Sequence, residues 1–193
     1  MNKKYFILLV LNFLVLIKVS AQTISSDEYF QMARKAAFEN NNYRDAIQLS
    51  KQALKQSPGY TDIELFLGRV YYWSGYKDSS ILTLNSALEK NPTYLDAFVA
   101  ITDIEYFSEH YSYALNYAEQ GLTYNPASKE LLLLKAKCLT SLNRYKQAWL
   151  ITDSLLQADP KNEAFRTLAA RIKDYSSKNK LGISYDYTYF NKQ

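Results

Sequence analysis

The chain has 193 residues, 48% of them hydrophobic, with 23 lysines and arginines against 19 acidic residues and a formal net charge of +4. This length suits one domain of ordinary size with a buried core. Five glycines and four prolines exclude collagen-like and Gly/Pro-rich disordered chains. A single cysteine excludes an intrachain disulfide framework, and a single histidine argues against a histidine-rich metal site or a catalytic triad.

Residues 1–21 have the three-part layout of a secretory signal peptide. Two lysines precede an apolar run from Tyr5 to Ile17, and small or apolar residues occupy the −3 and −1 positions of a cleavage site after Ala21. A membrane anchor is the alternative, but a spanning helix needs about 20 apolar residues, which is more than this run provides. We therefore expect an exported, periplasmic protein from which this segment is removed.

Cleavage at this site also changes the charge of the chain. It removes three lysines and no acidic residue, so the net charge falls from +4 to +1. A nearly neutral protein lacks the long-range field that attracts nucleic acid. We therefore expect no nucleic-acid partner.

The four prolines reveal an internal repeat. Pro58, Pro92, Pro126 and Pro160 are each 34 residues apart. Proline lacks a backbone N–H and clashes with the preceding helical turn, so equally spaced prolines predict equally spaced helix ends. We number each unit 1 to 34 with proline at position 32. The four units are 27–60, 61–94, 95–128 and 129–162.

Each unit contains two apolar stretches with helical spacing, interrupted near positions 14–16. Position 20 is always small, and position 10 is apolar or cysteine in every unit. These residues are Ala46, Ser80, Ala114 and Ala148 at position 20, and Ala36, Val70, Ile104 and Cys138 at position 10. The pattern predicts an all-α domain over residues 22–175, made of four helix pairs and a capping helix at 163–175. Thr61 and Glu64 fit a capping box at the start of a first helix.

The 34-residue period, the paired helices and the segment Leu67-Gly68-x-x-Tyr71 resemble the tetratricopeptide repeat over residues 27–162. The resemblance implies that the helix pairs stack into a right-handed superhelix with a concave groove. Three charged residues depart from the family pattern at positions that usually carry apolar or aromatic side chains. They are Glu64, Glu105 and Lys135.

In this family, positions 2, 5, 9, 12 and 13 of the first helix usually face the groove. Position 9 gives a mostly basic row, and positions 12 and 13 give aromatic residues in the first three units. The candidate ligand-binding residues are Arg69, Tyr72, Trp73, Asp103, Tyr106 and Phe107. Such a surface suits an extended peptide or a sugar polymer, whereas the alternative is that the aromatic residues only pack between repeats. The carboxylate-clamp version of the repeat needs asparagine and lysine at set positions, and position 9 here has no asparagine.

No pattern of residues indicates an enzyme, and we expect no cofactor and no metal. Cys138 lies in an apolar column, which predicts a buried, inert thiol. His110 falls in the turn of the third unit, where a solvated loop histidine is expected. The sequence contains no glycine-rich phosphate loop and no metal-ligand spacing.

The C-terminal residues have a different pattern. Residues 176–180 predict a polar linker, and residues 181–190 alternate polar and apolar side chains as a membrane-barrel strand does. Together with the repeats, this order resembles the YaiO-type outer-membrane β-barrel family and implies that residues 181–193 begin a barrel, truncated here after one β-like strand. We expect the reading frame to continue past codon 193. The repeats would then be the periplasmic part of an outer-membrane protein that binds a protein, a peptide or an exported polysaccharide. The alternative is a free periplasmic or secreted adaptor.

Overall fold

A computed structural model describes residues 24–178, which contain nine α-helices and no strand. The predicted signal peptide and the predicted barrel strand lie outside these residues. The helices are α1 (Ser26–Phe38), α2 (Tyr43–Gln56), α3 (Thr61–Trp73), α4 (Lys77–Lys90), α5 (Leu95–Phe107), α6 (Tyr111–Tyr124), α7 (Lys129–Ser141), α8 (Tyr145–Ala158) and α9 (Glu163–Lys178). Among them none combines the length and the apolar character that crossing a membrane requires.

The helices form four pairs and a capping helix, which confirms the predicted fold class. Each second helix (α2, α4, α6, α8) packs against its own first helix and against the first helix of the next pair. Successive first helices also contact each other, α3 with α5, α5 with α7 and α7 with α9. The first helices therefore line the inner side of the stack. We call this side the inner face.

Small residues allow the close approach between helices. The side chains at position 20, Ala46, Ser80, Ala114 and Ala148, are all fully buried. A Cβ atom on Gly68 would lie 2.6 Å from Cγ of the fully buried Leu84, so α3 and α4 touch at a point where only glycine fits. The repeated small residues thus set the distance between the two helices of a pair.

The turn inside each pair depends on one left-handed residue. Position 15 has a positive φ in all four units, at Asn41 (51°), Gly75 (83°), Glu109 (62°) and Asn143 (60°). Glycine and asparagine tolerate this conformation, whereas a glutamate there is strained. These turns are the interruptions that the sequence predicts near positions 14–16.

Two local predictions differ from the structure. Thr61 is the first residue of α3 rather than its N-cap, and Glu64 is buried, so the predicted capping box is wrong. The capping box of the described chain is at Ser25 and Glu28, where side chain and backbone bond reciprocally. Also, α9 continues to Lys178, so the first three residues of the segment predicted as a linker, 176–178, are helical. The side-chain hydroxyls of Ser176 and Ser177 donate hydrogen bonds to backbone carbonyls three residues earlier, which accommodates both serines in this helix.

Each of the three charged departures from the repeat pattern has an ion-pair partner. Glu64 pairs with Lys90 at 2.7 Å, Glu105 with Lys77 at 2.8 Å, and Lys135 with Glu119 at 2.9 Å. Burying Glu64 and Glu105 without such a partner would be costly. The charged residues therefore act as pairs that connect helices.

Candidate functional site

The inner face carries a row of half-buried charged residues at position 9 of successive first helices. The row runs Arg69 on α3, Asp103 on α5 and Lys137 on α7, and we call it the charged row. Burial raises the pKa of Asp103 above its usual value, and the nearby carboxylate of Glu130 acts in the same direction. Lys137 and Arg69 lower that pKa, which means that both cations act on this carboxylate. The charged row thus alternates positive, negative and positive.

A second polar contact on the same face involves position 2 of the first helices. This position is acidic in every unit and forms an acidic row of Glu28, Asp62, Asp96 and Glu130. The hydroxyl of Tyr94 donates a 2.5 Å hydrogen bond to Asp62 Oδ1. Burial first, and then the carboxylates of Asp62 and Asp96, raise the pKa of Tyr94 well above its usual value, and Arg69 opposes them. Residues of the acidic row and of the charged row therefore share one electrostatic environment.

The two aromatic candidates on α3, Tyr72 and Trp73, pack against different residues. Trp73 is 42% exposed and packs edge-on against Phe38, with ring centroids 5.7 Å apart, and lies 6.0 Å from Tyr43. Tyr72 is half-buried against the apolar cluster that includes Leu84. The two adjacent residues thus belong to different packing groups, as expected for neighbours on a helix.

The aromatic candidates on α5 lie together. The rings of Tyr106 and Phe107 are 5.6 Å apart and nearly perpendicular, and Tyr106 also lies 5.5 Å from Tyr111. Phe107 is 66% exposed, whereas Tyr106 packs against the core of the last two pairs. Part of the aromatic set therefore packs between repeats, which is the alternative hypothesis for these residues. Trp73 and Phe107 also keep exposed surface. Whether they bind a ligand remains a prediction.

Cys138 and His110 are the two side chains whose chemistry the sequence singles out, and the structure gives each of them a defined environment. Cys138 is fully buried, and burial, aided by the charge of Asp103, raises the pKa of its thiol to about 12. His110 is half-exposed, and its Nδ1 lies 2.8 Å from Glu105 Oε2 and 2.7 Å from Lys77 Nζ, so it is bonded rather than only solvated. Among residues 24–178 no group of three or more metal-ligating side chains could hold a metal ion.

A second cleft was not predicted from the sequence. It lies between α2, the end of α3 and the start of α4, has a volume of about 580 Å³, and is partly lined by Arg44, Ile47, Gln48 and Lys51 of α2. We call it the outer groove. The spacing i, i+3, i+4, i+7 of these four residues is the signal that could have revealed it, because it places them on one helix face.

Comparison with known proteins identifies related folds. The tetratricopeptide repeat model matches residues 37–100 and 108–172. The Hsp70-Hsp90 organizing protein 2 of Arabidopsis thaliana is 23% identical over 126 residues, which is 64% of this chain and 22% of that protein. The chain therefore spans about a fifth of the length of this curated relative.

Solved structures give the same picture of the fold. A tetratricopeptide repeat protein from Parabacteroides merdae superposes with a TM-score of 0.72 at 17% identity, over 80% of this chain and 61% of that one. YrrB, described as a TPR protein with an unusual peptide-binding site, superposes with a TM-score of 0.63 at 17% identity, over 81% of this chain and 80% of that one. At these identities the likeness shows the fold alone.

Proposed function

The chain belongs to the tetratricopeptide repeat family, and from this premise we propose that it is a non-enzymatic scaffold that binds an extended protein segment along its inner face. The observation that carries this proposal is the charged row of Arg69, Asp103 and Lys137. Three half-buried charges of alternating sign on adjacent first helices offer complementary contacts to one chain laid across them.

The order of charges along the charged row indicates which charges a complementary peptide would carry. A peptide lying across the row would place an acidic side chain near Arg69, a basic side chain near Asp103 and a second acidic side chain near Lys137. A cation of the ligand would also compensate Asp103, whose burial disfavours its charged form. We therefore propose a segment with acidic, basic and acidic residues in that order, flanked by apolar side chains that contact Trp73 and Phe107.

The relatives support a protein partner. The name of the Arabidopsis relative describes a protein that organises two other proteins, and the name of YrrB includes a peptide-binding site. Position 9 of this chain has no asparagine, so we propose recognition of an internal segment rather than of a C-terminal carboxylate. An exported polysaccharide is the second candidate from the sequence, and the alternating charges favour the peptide.

We also propose that the scaffold acts in the periplasm, as part of an outer-membrane protein. This part of the proposal rests on the pattern of residues 1–21 and on the alternation in residues 181–190. Expression of the gene in a Gram-negative host, followed by mass spectrometry, tests the first point. A mature chain that begins at Gln22 in the periplasmic or envelope fraction supports it, and an uncleaved cytoplasmic chain contradicts it.

Peptide selection by the full chain tests the binding proposal. We expect the wild-type protein to enrich library peptides with the acidic, basic, acidic order. The variant Asp103→Lys should enrich peptides without the central basic residue, because the charge that selects it is reversed. Lys161→Glu, an exposed charge reversal in the turn before α9, is the control and should leave the enriched set unchanged. Identical peptide sets for all three proteins would refute recognition by the charged row.

A further inference from the structure

The outer groove differs from the inner face in both position and charge. It lies between the second helices α2 and α4, and its charged lining residues are Arg44 and Lys51, with no carboxylate among the residues that line it. Within residues 24–178 neither cation forms an ion pair. Lys51 instead places its Nζ 5.6 Å from the centre of the Tyr71 ring. The groove therefore presents two cations that no described acidic side chain neutralises.

The internal repeat provides a comparison for this groove. Three tyrosines occupy positions 17, 11 and 16 around it, namely Tyr43, Tyr71 and Tyr76. At the same positions between α4 and α6 the chain has a polar cluster of Lys77, Glu105 and His110. In that second location Lys77 donates to Glu105, and His110 Nδ1 lies within hydrogen-bond distance of both, whereas in the outer groove the corresponding tyrosines border an open cleft. The residues at these three positions are therefore aromatic in the outer groove and polar or charged in the next location along the stack.

The floor and walls of the groove define the shape of a ligand. Ile47 is buried at its base and belongs to the apolar core, and Tyr71 and Tyr76 meet at 89° with their centroids 6.4 Å apart. The two perpendicular rings form an apolar corner rather than a flat platform of the kind on which a sugar ring stacks. The exposed amide of Gln48 and the tyrosine hydroxyls add hydrogen-bonding groups at the rim.

We propose that the outer groove is a second binding site, which takes an acidic peptide segment with an apolar residue next to a carboxylate. The planar guanidinium of Arg44 matches a carboxylate bidentately, and Lys51 adds a second charge-assisted bond. The apolar side chain lies against the corner formed by Tyr71 and Tyr76, above Ile47. None of the charged-row residues lines the groove, so the chain can hold a different partner segment at each site.

Fluorescence anisotropy with a defined probe tests this proposal on the full chain. The probe is a fluorescein-labelled peptide amide of alternating glutamate and leucine, and its control has glutamine in place of glutamate. We expect the glutamate peptide to bind and the double variant Arg44→Gln/Lys51→Gln to weaken binding by about tenfold or more, since two charge-assisted bonds are lost. Lys146→Gln, an exposed lysine at the same repeat position as Arg44, should bind the probe as the wild type does.

Three results would overturn the proposal. One is equal binding of the glutamate and glutamine peptides, or no binding of either. Another is loss of binding on Arg69→Gln with full retention in the double variant, which would place the probe on the inner face and leave the proposed function standing. The third is Arg44-dependent binding of a galacturonic acid hexamer in preference to the peptide, which would assign the groove to an anionic sugar. Because both cations are exposed, the variants should keep the wild-type circular dichroism spectrum. The single variant Arg44→Gln provides a second test, since it should also bind the glutamate peptide more weakly than the wild type does.

Discussion

Lys77 Nζ lies 2.8 Å from Glu105 Oε2 and joins the second helix of one pair to the first helix of the next. The Glu105 side chain is only 10% exposed and that of Lys77 27% exposed. Since the carboxylate is largely removed from water, it depends on this lysine for compensation. The pair therefore stabilises the stacking of the second and third units.

Removal of the lysine should show this dependence. We expect Lys77→Met to lower the free energy of unfolding by about 2 kcal/mol, because Glu105 is left as a buried, poorly compensated charge. The double variant Lys77→Tyr/Glu105→Tyr, which copies the residues at the same positions of the preceding groove, should recover most of the loss. Urea denaturation measures both. Lys35→Met removes the exposed pair with Glu39 and should change the unfolding free energy by less than about 0.5 kcal/mol; equal effects of the two lysine variants would contradict the account.

The contact between Gly68 and Leu84 predicts a steric effect. Gly68→Ala should destabilise the protein by about 1–2 kcal/mol, since the added methyl group lies 2.6 Å from Leu84 Cγ and the clash outweighs the helix propensity gained. Gly59→Ala, whose Cβ would meet no atom within 4 Å, should be neutral or slightly stabilising. Thermal unfolding of the two variants compares them directly. A stabilised Gly68→Ala protein would show that the helices are not this close.

The left-handed glutamate in the third turn predicts a gain in stability. Glu109 has φ 62°, so Glu109→Gly should raise the unfolding free energy by about 0.5–1 kcal/mol through relief of backbone strain. Gly75→Ala at the same repeat position, with φ 83°, should lower it by about 1 kcal/mol. Differential scanning calorimetry resolves changes of this size. A destabilised Glu109→Gly protein, or a Gly75→Ala protein as stable as the wild type, would mean that position 15 does not need the left-handed conformation.

The raised pKa of Asp103 predicts a pH dependence. The folded protein holds this proton to a higher pH than the unfolded chain does, so deprotonation opposes folding. As the pH rises from about 4 through the raised pKa, the wild type should lose stability relative to Asp103→Asn. Glu28, whose pKa is lowered by hydrogen bonds from Ser25, gives the opposite sign, and its contribution is lost as the pH falls. The urea midpoint of unfolding, measured across this pH range, reports the contributions of Asp103 and Glu28. If the midpoints of the wild type and of Asp103→Asn change in parallel with pH, the burial of Asp103 is contradicted.

The sequence predicts the fold well because the repeat is encoded in backbone requirements. Proline at position 32 and a small residue at position 20 restrict the chain in the same way in every unit, and position 15 is a turn-forming asparagine or glycine in three of the four units. The structure confirms the helix pairs for this reason. The capping box at Thr61 fails because the same residue pattern also fits a buried glutamate, and only the partner Lys90, 26 residues away, decides between the two.

The site is less predictable from the sequence because it depends on contacts between units. Position in the repeat places Arg69 and Asp103 on one face, but it does not reveal that Trp73 packs back onto Phe38 and Tyr43. The outer groove was missed because the tyrosines and cations that form it come from α2, α3 and the turn before α4. Its open volume depends on the spacing of α2 and α4, which no single stretch of sequence encodes.

The central claim is that the charged row of the inner face recognises a peptide by its charges, and a charge-swap experiment tests it most directly. Isothermal titration calorimetry would measure the binding of two peptides to the wild type and to Asp103→Lys. The first is a selected peptide, and the second is the same peptide with its central lysine replaced by glutamate. We predict that each mismatched combination binds about tenfold or more weakly than the wild-type pair, and that the doubly swapped combination recovers most of the affinity. Equal affinities in all four combinations, or no recovery in the doubly swapped one, would contradict the claim.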